Sequence, residues 1–401
     1  MSLAAEATVP VSDVDPFCDA FLSDPYPFHQ ELREAGPVVR LERYGAWAMA
    51  RHAQVFSALG DWRSFSSAAG VGIDDFRKGK PWRPPSILLE VDPPLHTKTR
   101  SVMGRVMSVA AVRQLRERFR SEAERLADAP VERGSFDAIA DLAEPFPLKV
   151  FGDAVGLPAQ GRENLLPYSN MVFNSFGPQN ALFHQSIANA RPVLDWIFSM
   201  CRREALGADG FGARIFAACD AGEIDAEEAT ILVRALLGAG LDTTVNGLGN
   251  ALYAFAAYPN EWRRYREQAG LRKSGFDEVI RWESPVQTFF RTTTRPIEIE
   301  GTRIGEGEKV LLFFGAANRD PRRWEKPDQL DIRRNATGHV AFGTGIHGCV
   351  GQTIARLEAD VVLAAFADRV ETFELADAPR RRLNNTLRGF ASLPLRVRRL
   401  H

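Results

Sequence analysis

The stretch FGTGIHGCVG, from Phe342 to Gly351, decides how this 401-residue sequence is interpreted. Three glycines precede Cys349, and a long helical pattern follows it. Glycine lets backbone amides turn toward a sulfur atom, and the N-terminal end of a helix adds positive potential, so the arrangement favours a thiolate. A single cysteine taken by itself is more often a buried, inert residue, and the residue type alone leaves both interpretations open.

The sequence upstream of this stretch is mostly helical from Leu95 to about Leu271, with breaks at glycine and proline. Asp225 and Glu228 have the spacing of a capping box, and the helix they open is apolar on nearly every face, which requires burial on all sides. Inside that helix lie five residues that a helix interior does not favour: Gly238, Gly240, Asp242, Thr243 and Thr244. They indicate either a crowded helix crossing or a helix that opens locally to admit a ligand.

Short strands are predicted on both sides of the helical region. Residues 38–58 begin with a strand-like stretch around a glycine turn and continue as a helix, and the sequence after Pro285 alternates polar and apolar residues around glycine turns. The segment from about Phe65 to Pro94 contains prolines that cannot lie inside a helix, so we expect an ordered or lid-like loop. The predicted fold class is mostly α with small β-sheets. We expect one domain over residues 1–401, with residues 1–15 as a flexible N-terminal tail.

Composition excludes several classes of protein. Lys and Arg number 50 against 51 Asp and Glu, so the net charge of −1 gives no overall attraction to nucleic acid or to an anionic membrane. The four cysteines lie far apart without C-x-x-C spacing, which argues against a disulfide framework and a structural zinc site. No apolar run is long enough for a membrane span, and the N-terminus lacks the features of a signal peptide. We therefore expect a cytoplasmic protein that binds neither nucleic acid nor membrane.

The cysteine stretch resembles the cysteine-ligand loop of cytochromes P450. The pattern F-x-x-G-x-H/R-x-C-x-G is matched at Phe342, Gly345, His347, Cys349 and Gly351. The resemblance implies the cytochrome P450 fold, a helical haem-binding domain plus a smaller β-containing region. It also implies haem b with the Cys349 thiolate as the iron ligand. Phe342 would then pack near the sulfur, and His347 would contact a haem propionate.

Two further matches strengthen the resemblance. Glu278 and Arg281 lie three residues apart on one helix face, as in the Glu-x-x-Arg pair of the family, and Arg334 stands where the third member of that structural network is expected. Buried propionates need paired cationic donors. The resemblance assigns this role, beside His347, to three residues: His96, Arg100 and Arg291.

Residues 239–244 (AGLDTT) are similar to the oxygen-binding motif of the family, A-G-x-D/E-T-T. The resemblance gives Asp242 and Thr243 the catalytic role: Thr243 binds at the dioxygen site, and Asp242 relays protons inward from solvent. Presence of this acid–alcohol pair favours a monooxygenase fed by an electron-transfer partner over direct use of peroxide.

Three segments, KPWRPPS, MVFNSFGP and SPVQTFFR, resemble in particular those of soluble bacterial P450s that oxidise para-substituted benzoates, especially 4-methoxybenzoate O-demethylases. The resemblance implies that Arg83 and Ser86 clamp the substrate carboxylate, a role that suits a guanidinium held between prolines. It also implies further substrate-pocket residues: Leu88, Leu89, Phe173, Phe176, Ala235, Gly238, Ala239, Val286 and Phe289.

The sequence departs from that subfamily at the start of the oxygen-binding helix. Ala235 and Gly238 stand where the subfamily has serines that reach toward the carboxylate, while Arg234 is retained. We therefore expect a roomier or less polar acid end that admits cinnamates or ring-substituted alkoxybenzoates.

The sequence thus predicts a monomeric haem-thiolate monooxygenase acting on a small aromatic acid, with O2 and with electrons from an iron–sulfur ferredoxin and its NAD(P)H-dependent reductase. Two alternatives remain. One is a P450 for another small hydrophobic substrate, such as a terpene or a biosynthetic intermediate. The other is a haem-binding sensor or carrier without turnover, in which Asp242 and Thr243 would have no purpose.

Overall fold

The computed structural model describes residues 9–79, 81 and 83–400. In this part of the chain the α-helices are α1 (Asp19–Ser23), α2 (Tyr26–Ala35), α3 (His52–Gly60), α4 (Leu95–Val106), α5 (Val109–Arg113), α6 (Arg116–Arg133), α7 (Pro145–Val155), α8 (Leu165–Asn174), α9 (Ala181–Ala190), α10 (Leu194–Met200), α11 (Phe211–Asp220), α12 (Ala226–Ala239), α13 (Asp242–Ala257), α14 (Pro259–Glu267), α15 (Ala269–Trp282), α16 (Phe314–Ala317) and α17 (Gln352–Ala367). The strands are β1 (Val11–Ser12), β2 (Val39–Leu41), β3 (Ala46–Met49), β4 (Phe65–Ser66), β5 (Ser135–Asp137), β6 (Thr288–Thr293), β7 (Ile297–Ile299), β8 (Thr302–Ile304), β9 (Lys309–Phe313), β10 (Val370–Leu375), β11 (Arg380–Arg382), β12 (Gly389–Ser392) and β13 (Pro394–Arg399). The expected mostly α fold with small β-sheets is confirmed.

The strands form one larger sheet and three small ones. The larger sheet has the order β1-β2-β3-β9-β6-β4, and the others pair β10-β13-β5, β11-β12 and β7-β8. Strands β6 and β9 pair antiparallel, with Arg291 opposite Val310. This pairing carries Arg291 into the protein interior.

The N-terminal segment differs from the expectation of a flexible tail over residues 1–15. Val11 and Ser12 form β1, which pairs in parallel with β2. Val14 is buried in the core cluster beside the large sheet. Apolar burial and strand pairing therefore fix the second half of the segment. Residues 1–8 lie outside the described part of the chain.

The predicted long loop follows β4 and ends at α4. It is attached to the rest of the protein by Lys309 of β9, whose ammonium donates to the carbonyl oxygens of Ala69, Gly70 and Gly72 at 2.9 to 3.1 Å. The backbone N–H of Ile73 also donates to Phe176. The first part of the loop is therefore ordered against the end of α8. The three prolines predicted to break helices here, Pro81, Pro84 and Pro85, lie in the described chain and outside any helix. Lys80 and Trp82 lie outside the described residues.

The helix after Asp225 is interrupted as one of the two interpretations of its sequence predicts. The capping box of Asp225 and Glu228 opens α12, which ends at Ala239, and α13 begins at Asp242. A β-carbon on Gly240 would lie 2.2 Å from the ring of Phe151, so the break is also a crowded crossing. Both interpretations of the segment therefore hold at once.

The Glu278, Arg281 and Arg334 network forms as predicted. Arg281 makes a two-pronged ion pair with Glu278 at 2.7 and 2.9 Å, and Arg334 Nε donates to Glu278 Oε1 at 3.1 Å. Glu278 and Arg281 are fully buried. Their geometry ties α15 to the segment that leads into the cysteine loop. None of the helices in the described chain is both long and apolar enough to cross a membrane.

Candidate active site

The cysteine loop closes on itself just before α17. Cys349 N–H donates to the carbonyl oxygen of Phe342 at 2.8 Å, and Gly343 and Gly345 have positive φ angles of 65° and 69°. A β-carbon on Gly345 would lie 2.4 Å from the carbonyl oxygen of Leu59, so glycine is required by space as well as by conformation. The loop thus gives Cys349 one fixed position.

Burial raises the pKa of the Cys349 thiol, against the opposing effect of the backbone N–H of Gly351 and the charge of Arg100. A cysteine that binds a metal ion does so as the thiolate, so metal binding would release the thiol proton. Within the described chain, no three His, Cys, Asp or Glu side chains group closely enough to hold a metal ion by themselves. Cys349 would therefore be the one protein side chain of its type to hold a metal ion in this loop.

A cavity of about 440 Å³ adjoins this loop. It brings together most of the residues that the sequence placed in the site. Those that line the cavity are Arg83, Ser86, Leu88, Leu89, Arg100, Phe173, Phe176, Ala235, Gly238, Ala239, Thr243, Val286, Phe289, Arg291, Phe342, His347 and Cys349. His96 and Asp242 do not line it.

Two guanidinium groups lie in the cavity wall near the cysteine loop, Arg291 buried and Arg100 half-buried. Within the described chain neither makes an ion pair with a carboxylate within 4 Å, although the charge of Asp92 acts on Arg291. Burial lowers the pKa of Arg291 to about 10. Because burying a cation is costly, an anionic ligand in the cavity would stabilise these groups.

His96 lies behind the lining but supports it. Its ring packs on that of His347 with centroids 4.4 Å apart, and the Nε2 atoms of both rings are buried without a hydrogen-bond partner in the described chain. Burial lowers the pKa of His96 to about 4. The Nε2 atom of His347 lies 3.9 Å from Oδ1 of Asp92, beyond hydrogen-bond distance. Together with Arg100 and Arg291, the two imidazole rings fit a cofactor that carries carboxylate groups and is held by one thiolate.

The fold and this site define a haem-thiolate protein. A family model described as cytochrome P450 matches residues 273–398, and the chain belongs to the cytochrome P450 family. Its members are monooxygenases that bind haem b through a cysteine thiolate, and this chain binds haem b in the same way.

The individual relatives cover almost the whole chain. The protein is 53% identical to cytochrome P450 CYP199A2 of Rhodopseudomonas palustris, across 98% of this chain and 95% of that one. It is 32% identical to cytochrome P450 107B1 of Saccharopolyspora erythraea, across 96% and 98% of the two chains. The solved structure of CYP109Q5 from Chondromyces apiculatus matches with a TM-score of 0.81 at 30% identity, across 98% and 99%.

At the helix break, Thr243 faces the cavity, whereas Asp242 is buried away from it. Thr243 lines the cavity and its hydroxyl donates to the carbonyl oxygen of Ala239 at 3.0 Å. Asp242 is 1% exposed, and its carboxylate oxygens accept no hydrogen bond from the described chain. Its nearest charge is Arg382, with Nη1 3.6 Å from Oδ1, and Arg382 in turn pairs with the half-buried Glu144 at 2.5 Å. Burial raises the pKa of Asp242 to about 6.

The predicted carboxylate clamp already holds a carboxylate of the protein. Arg83 donates to both oxygens of Glu90 at 2.7 and 2.8 Å, and the backbone N–H of Ser86 donates to Glu90 at 2.9 Å. The Ser86 hydroxyl accepts from the N–H groups of Leu88 and Leu89. Glu90 lines the same cavity and was not singled out from the sequence.

Arg234 lies beside Arg83. Both guanidinium groups donate to the carbonyl oxygen of Pro84, at 3.3 and 3.4 Å, and both line the cavity. No carboxylate of the described chain lies within 4 Å of Arg234. We call Arg83, Ser86, Glu90 and Arg234 the guanidinium cluster.

Aromatic side chains form an apolar wall next to the guanidinium cluster. The rings of Phe173 and Phe176 meet edge to face at 5.9 Å, and Phe176 meets Phe289 at 5.3 Å. Arg83 lies over the ring of Phe176 at 5.2 Å. Val286 and Leu89 pack against the same cluster. This arrangement suits a planar ring attached to a charged group.

The small residues of α12 leave room on the opposing wall. A β-carbon on Gly238 would meet Tyr168 and Val172 only at 3.5 Å, which is ordinary contact. Ala235 and Ala239 line the cavity on the same helix. That the acid end is roomier than in the benzoate-oxidising subfamily stays a prediction.

A second buried acid stands near the helix break. Glu358 of α17 hydrogen-bonds the hydroxyl of Thr244 at 3.2 Å, and burial raises the pKa of Glu358 to about 8. Its Oε1 atom has no partner in the described chain. Sequence reasoning missed it, because a Glu within an apolar helix is recognisable only once its neighbours are known.

Proposed function

We propose that this monooxygenase oxidises a para-substituted aromatic carboxylic acid, by O-demethylation of 4-methoxybenzoate or a related alkoxybenzoate or cinnamate. The observation that carries the proposal is the pair of guanidinium groups, Arg83 and Arg234, in the wall of a mostly apolar cavity that also contains Cys349. The resemblance of the surrounding segments to benzoate-oxidising P450s supports the same substrate class.

Different residues bind the carboxylate and the ring of the substrate. Arg234 and Arg83 hold the carboxylate by charge-assisted hydrogen bonds, and the hydroxyl proton of Ser86 is available for a third. The ring lies between Phe173, Phe176, Phe289 and the small residues of α12. Fixing the acid in this way sets which carbon is presented for oxidation, because orientation decides regioselectivity.

The cofactor residues are assigned from the same cavity. Cys349 is the iron ligand, Phe342 packs at the start of its loop, and the propionates are held by Arg100, Arg291, His347 and His96. When bound, haem supplies the activation of O2. The role of the protein at this point is to deliver protons: the Thr243 hydroxyl holds one at the cavity wall, and Asp242 relays protons inward from solvent. Arg382, held by Glu144, keeps its charge and lies beside the Asp242 carboxylate.

The overall reaction balances with one O2, two electrons and two protons. One oxygen atom enters the methoxy carbon and the other leaves as water. The carbon–oxygen bond then breaks to give the phenol and formaldehyde. We propose that an iron–sulfur ferredoxin, reduced by an NAD(P)H-dependent reductase, supplies the electrons.

The test is an absorbance titration of the ferric holoenzyme with 4-methoxybenzoate and, in parallel, with neutral 4-methylanisole. We expect a spin-state change with the acid at much lower concentration than with the neutral compound. Arg234→Gln should weaken binding of the acid at least tenfold and leave binding of 4-methylanisole unchanged. A tenfold change in affinity corresponds to about 1.4 kcal/mol, which is less than one charge-assisted hydrogen bond contributes. Arg83→Lys tests the second contact without leaving Glu90 buried and unpaired. Formaldehyde release with NADH, reductase and ferredoxin then identifies the reaction.

One observation favours a second candidate. The Arg83–Glu90 pair neutralises one of the two guanidinium charges, which suits a P450 that acts on a neutral substrate such as a terpene or a biosynthetic intermediate. Equal affinity for 4-methoxybenzoate and 4-methylanisole, unchanged by Arg234→Gln, would reject the aromatic acid and support this alternative.

A further inference from the structure

We propose that Glu90 is a specificity-determining residue: as the internal counter-ion of Arg83, it limits the guanidinium cluster to one unbalanced positive charge and so weakens the preference for acids. This inference rests on the proposed function of the same site. The role comes from the placement of Glu90 in the cavity wall.

The contact between Glu90 and Arg83 is complete on the carboxylate side. The Glu90 side chain is 0% exposed and that of Arg83 is 16% exposed. Two guanidinium N–H groups and the Ser86 N–H account for both carboxylate oxygens. A two-pronged contact of this kind is the geometry of an ionised carboxylate, and it orients the guanidinium plane.

The contact is incomplete on the arginine side. Within the described chain, the other hydrogen bonds of Arg83 are long ones, from Nε to the Ser175 hydroxyl and from Nη1 to the carbonyl oxygen of Pro84, both at 3.4 Å. Hydrogen bonds of this length are weak, so a ligand in the cavity that Arg83 lines can replace one of them. A substrate carboxylate placed there shares Arg83 with Glu90, and the two negative charges repel each other across the guanidinium.

The charges of the cluster count to plus one. Arg83 and Arg234 each contribute a positive charge and Glu90 a negative one. Lys309 is also close enough to interact with Glu90, but its ammonium is bound to loop carbonyls and it does not line the cavity. One substrate carboxylate therefore neutralises the cluster, and Glu90 lowers the affinity that two free guanidiniums would give it.

Two substitutions separate charge from shape. Glu90→Gln keeps the size and one acceptor but removes the charge. Glu90→Asp keeps the charge and loses the two-pronged reach. The ligands are 4-methoxybenzoate and 4-nitroanisole, a neutral compound of almost the same shape. Calorimetric titration of the haem-loaded enzyme gives both dissociation constants without relying on a spectral change, and the ferrous carbon monoxide spectrum checks that each variant retains its thiolate ligand.

We expect Glu90→Gln to raise the affinity for 4-methoxybenzoate, relative to 4-nitroanisole, at least tenfold, while Glu90→Asp produces no such rise. An unchanged or smaller ratio in Glu90→Gln would overturn the inference, because it would mean that Glu90 only orients Arg83. If the ratio is unchanged in Glu90→Gln while the wild-type enzyme still binds 4-methoxybenzoate in preference to 4-nitroanisole, only the role of Glu90 is rejected and the proposed function stands. If neither the wild type nor Glu90→Gln binds the acid while both bind 4-nitroanisole, the proposed function and the inference fail together.

Discussion

Replacing Asp242 with asparagine should stabilise the protein while impairing its turnover. Asp242 is buried, its carboxylate oxygens accept no hydrogen bond from the described chain, and its pKa is raised from 3.8 to about 6. One pH unit of difference in pKa corresponds to about 1.4 kcal/mol. The ionised carboxylate therefore destabilises the folded state by about 3 kcal/mol at pH 7.5, and an uncharged amide in its place would remove that cost.

The pH dependence has a definite sign. Because the folded-state pKa is the higher one, the folded protein binds the Asp242 proton more tightly than the unfolded chain does. The resulting stabilisation is complete below pH 3.8 and is lost as the pH rises through about 6. The Asp242→Asn variant should therefore exceed the wild type in stability by about 1.6 kcal/mol at pH 5 and by about 3 kcal/mol at pH 7.5.

The assay is urea unfolding of the holoenzyme, followed by tryptophan fluorescence at several pH values. Asp209→Asn, in an exposed turn, is the matched control and should show no such divergence. Product formation per NADH consumed should fall in the Asp242→Asn variant, because its side chain no longer relays a proton. Equal stability of variant and wild type across this pH range would refute the reasoning, since Arg382 would then compensate fully for burial.

Three other substitutions test how the protein around the site is held together. Glu278→Gln leaves the fully buried Arg281 without its carboxylate. We expect the free energy of unfolding in urea to fall by about 3 to 5 kcal/mol, as for other broken buried ion pairs, and haem to be released faster. A fall of less than about 1 kcal/mol would contradict this. Gly240→Ala places a β-carbon 2.2 Å from Phe151 and should cost about 1 to 3 kcal/mol, whereas Gly238→Ala on the same helix should change stability by less than about 1 kcal/mol. Equal melting temperatures for these two variants would show that Phe151 moves aside.

The residues that the sequence located are those whose role is local. Cys349 and the glycines before it share one short loop, and Glu278 and Arg281 share one helix face, so a motif match within a short segment was enough to single them out. The helix break at Gly240 was likewise indicated by several poor helix formers within seven residues, from Gly238 to Thr244.

The features that the sequence missed depend on contacts between distant segments. Glu90 is an acid in an irregular loop, where no periodicity indicates which way a side chain faces. The partner of Asp242 is Arg382 on β11, about 140 residues away along the chain. The N-terminal strand β1 is likewise stabilised by β2 and not by its own sequence. In each of these three examples, contacts between segments far apart in the chain determine the structure.

The two cationic regions of the cavity differ in a way that matches how long each ligand stays. Within the described chain, the buried Arg291 and the half-buried Arg100 have no carboxylate within 4 Å, so releasing an anionic ligand would leave the Arg291 charge buried with only the more distant Asp92 to balance it. That arrangement suits a cofactor that remains bound. Arg83 keeps Glu90 as its partner whether or not a ligand is present, and the unpaired Arg234 is half-buried, so the substrate carboxylate or the product can leave at a smaller cost. A site that must empty at every turnover gains from a cluster whose charge Glu90 has already reduced to plus one.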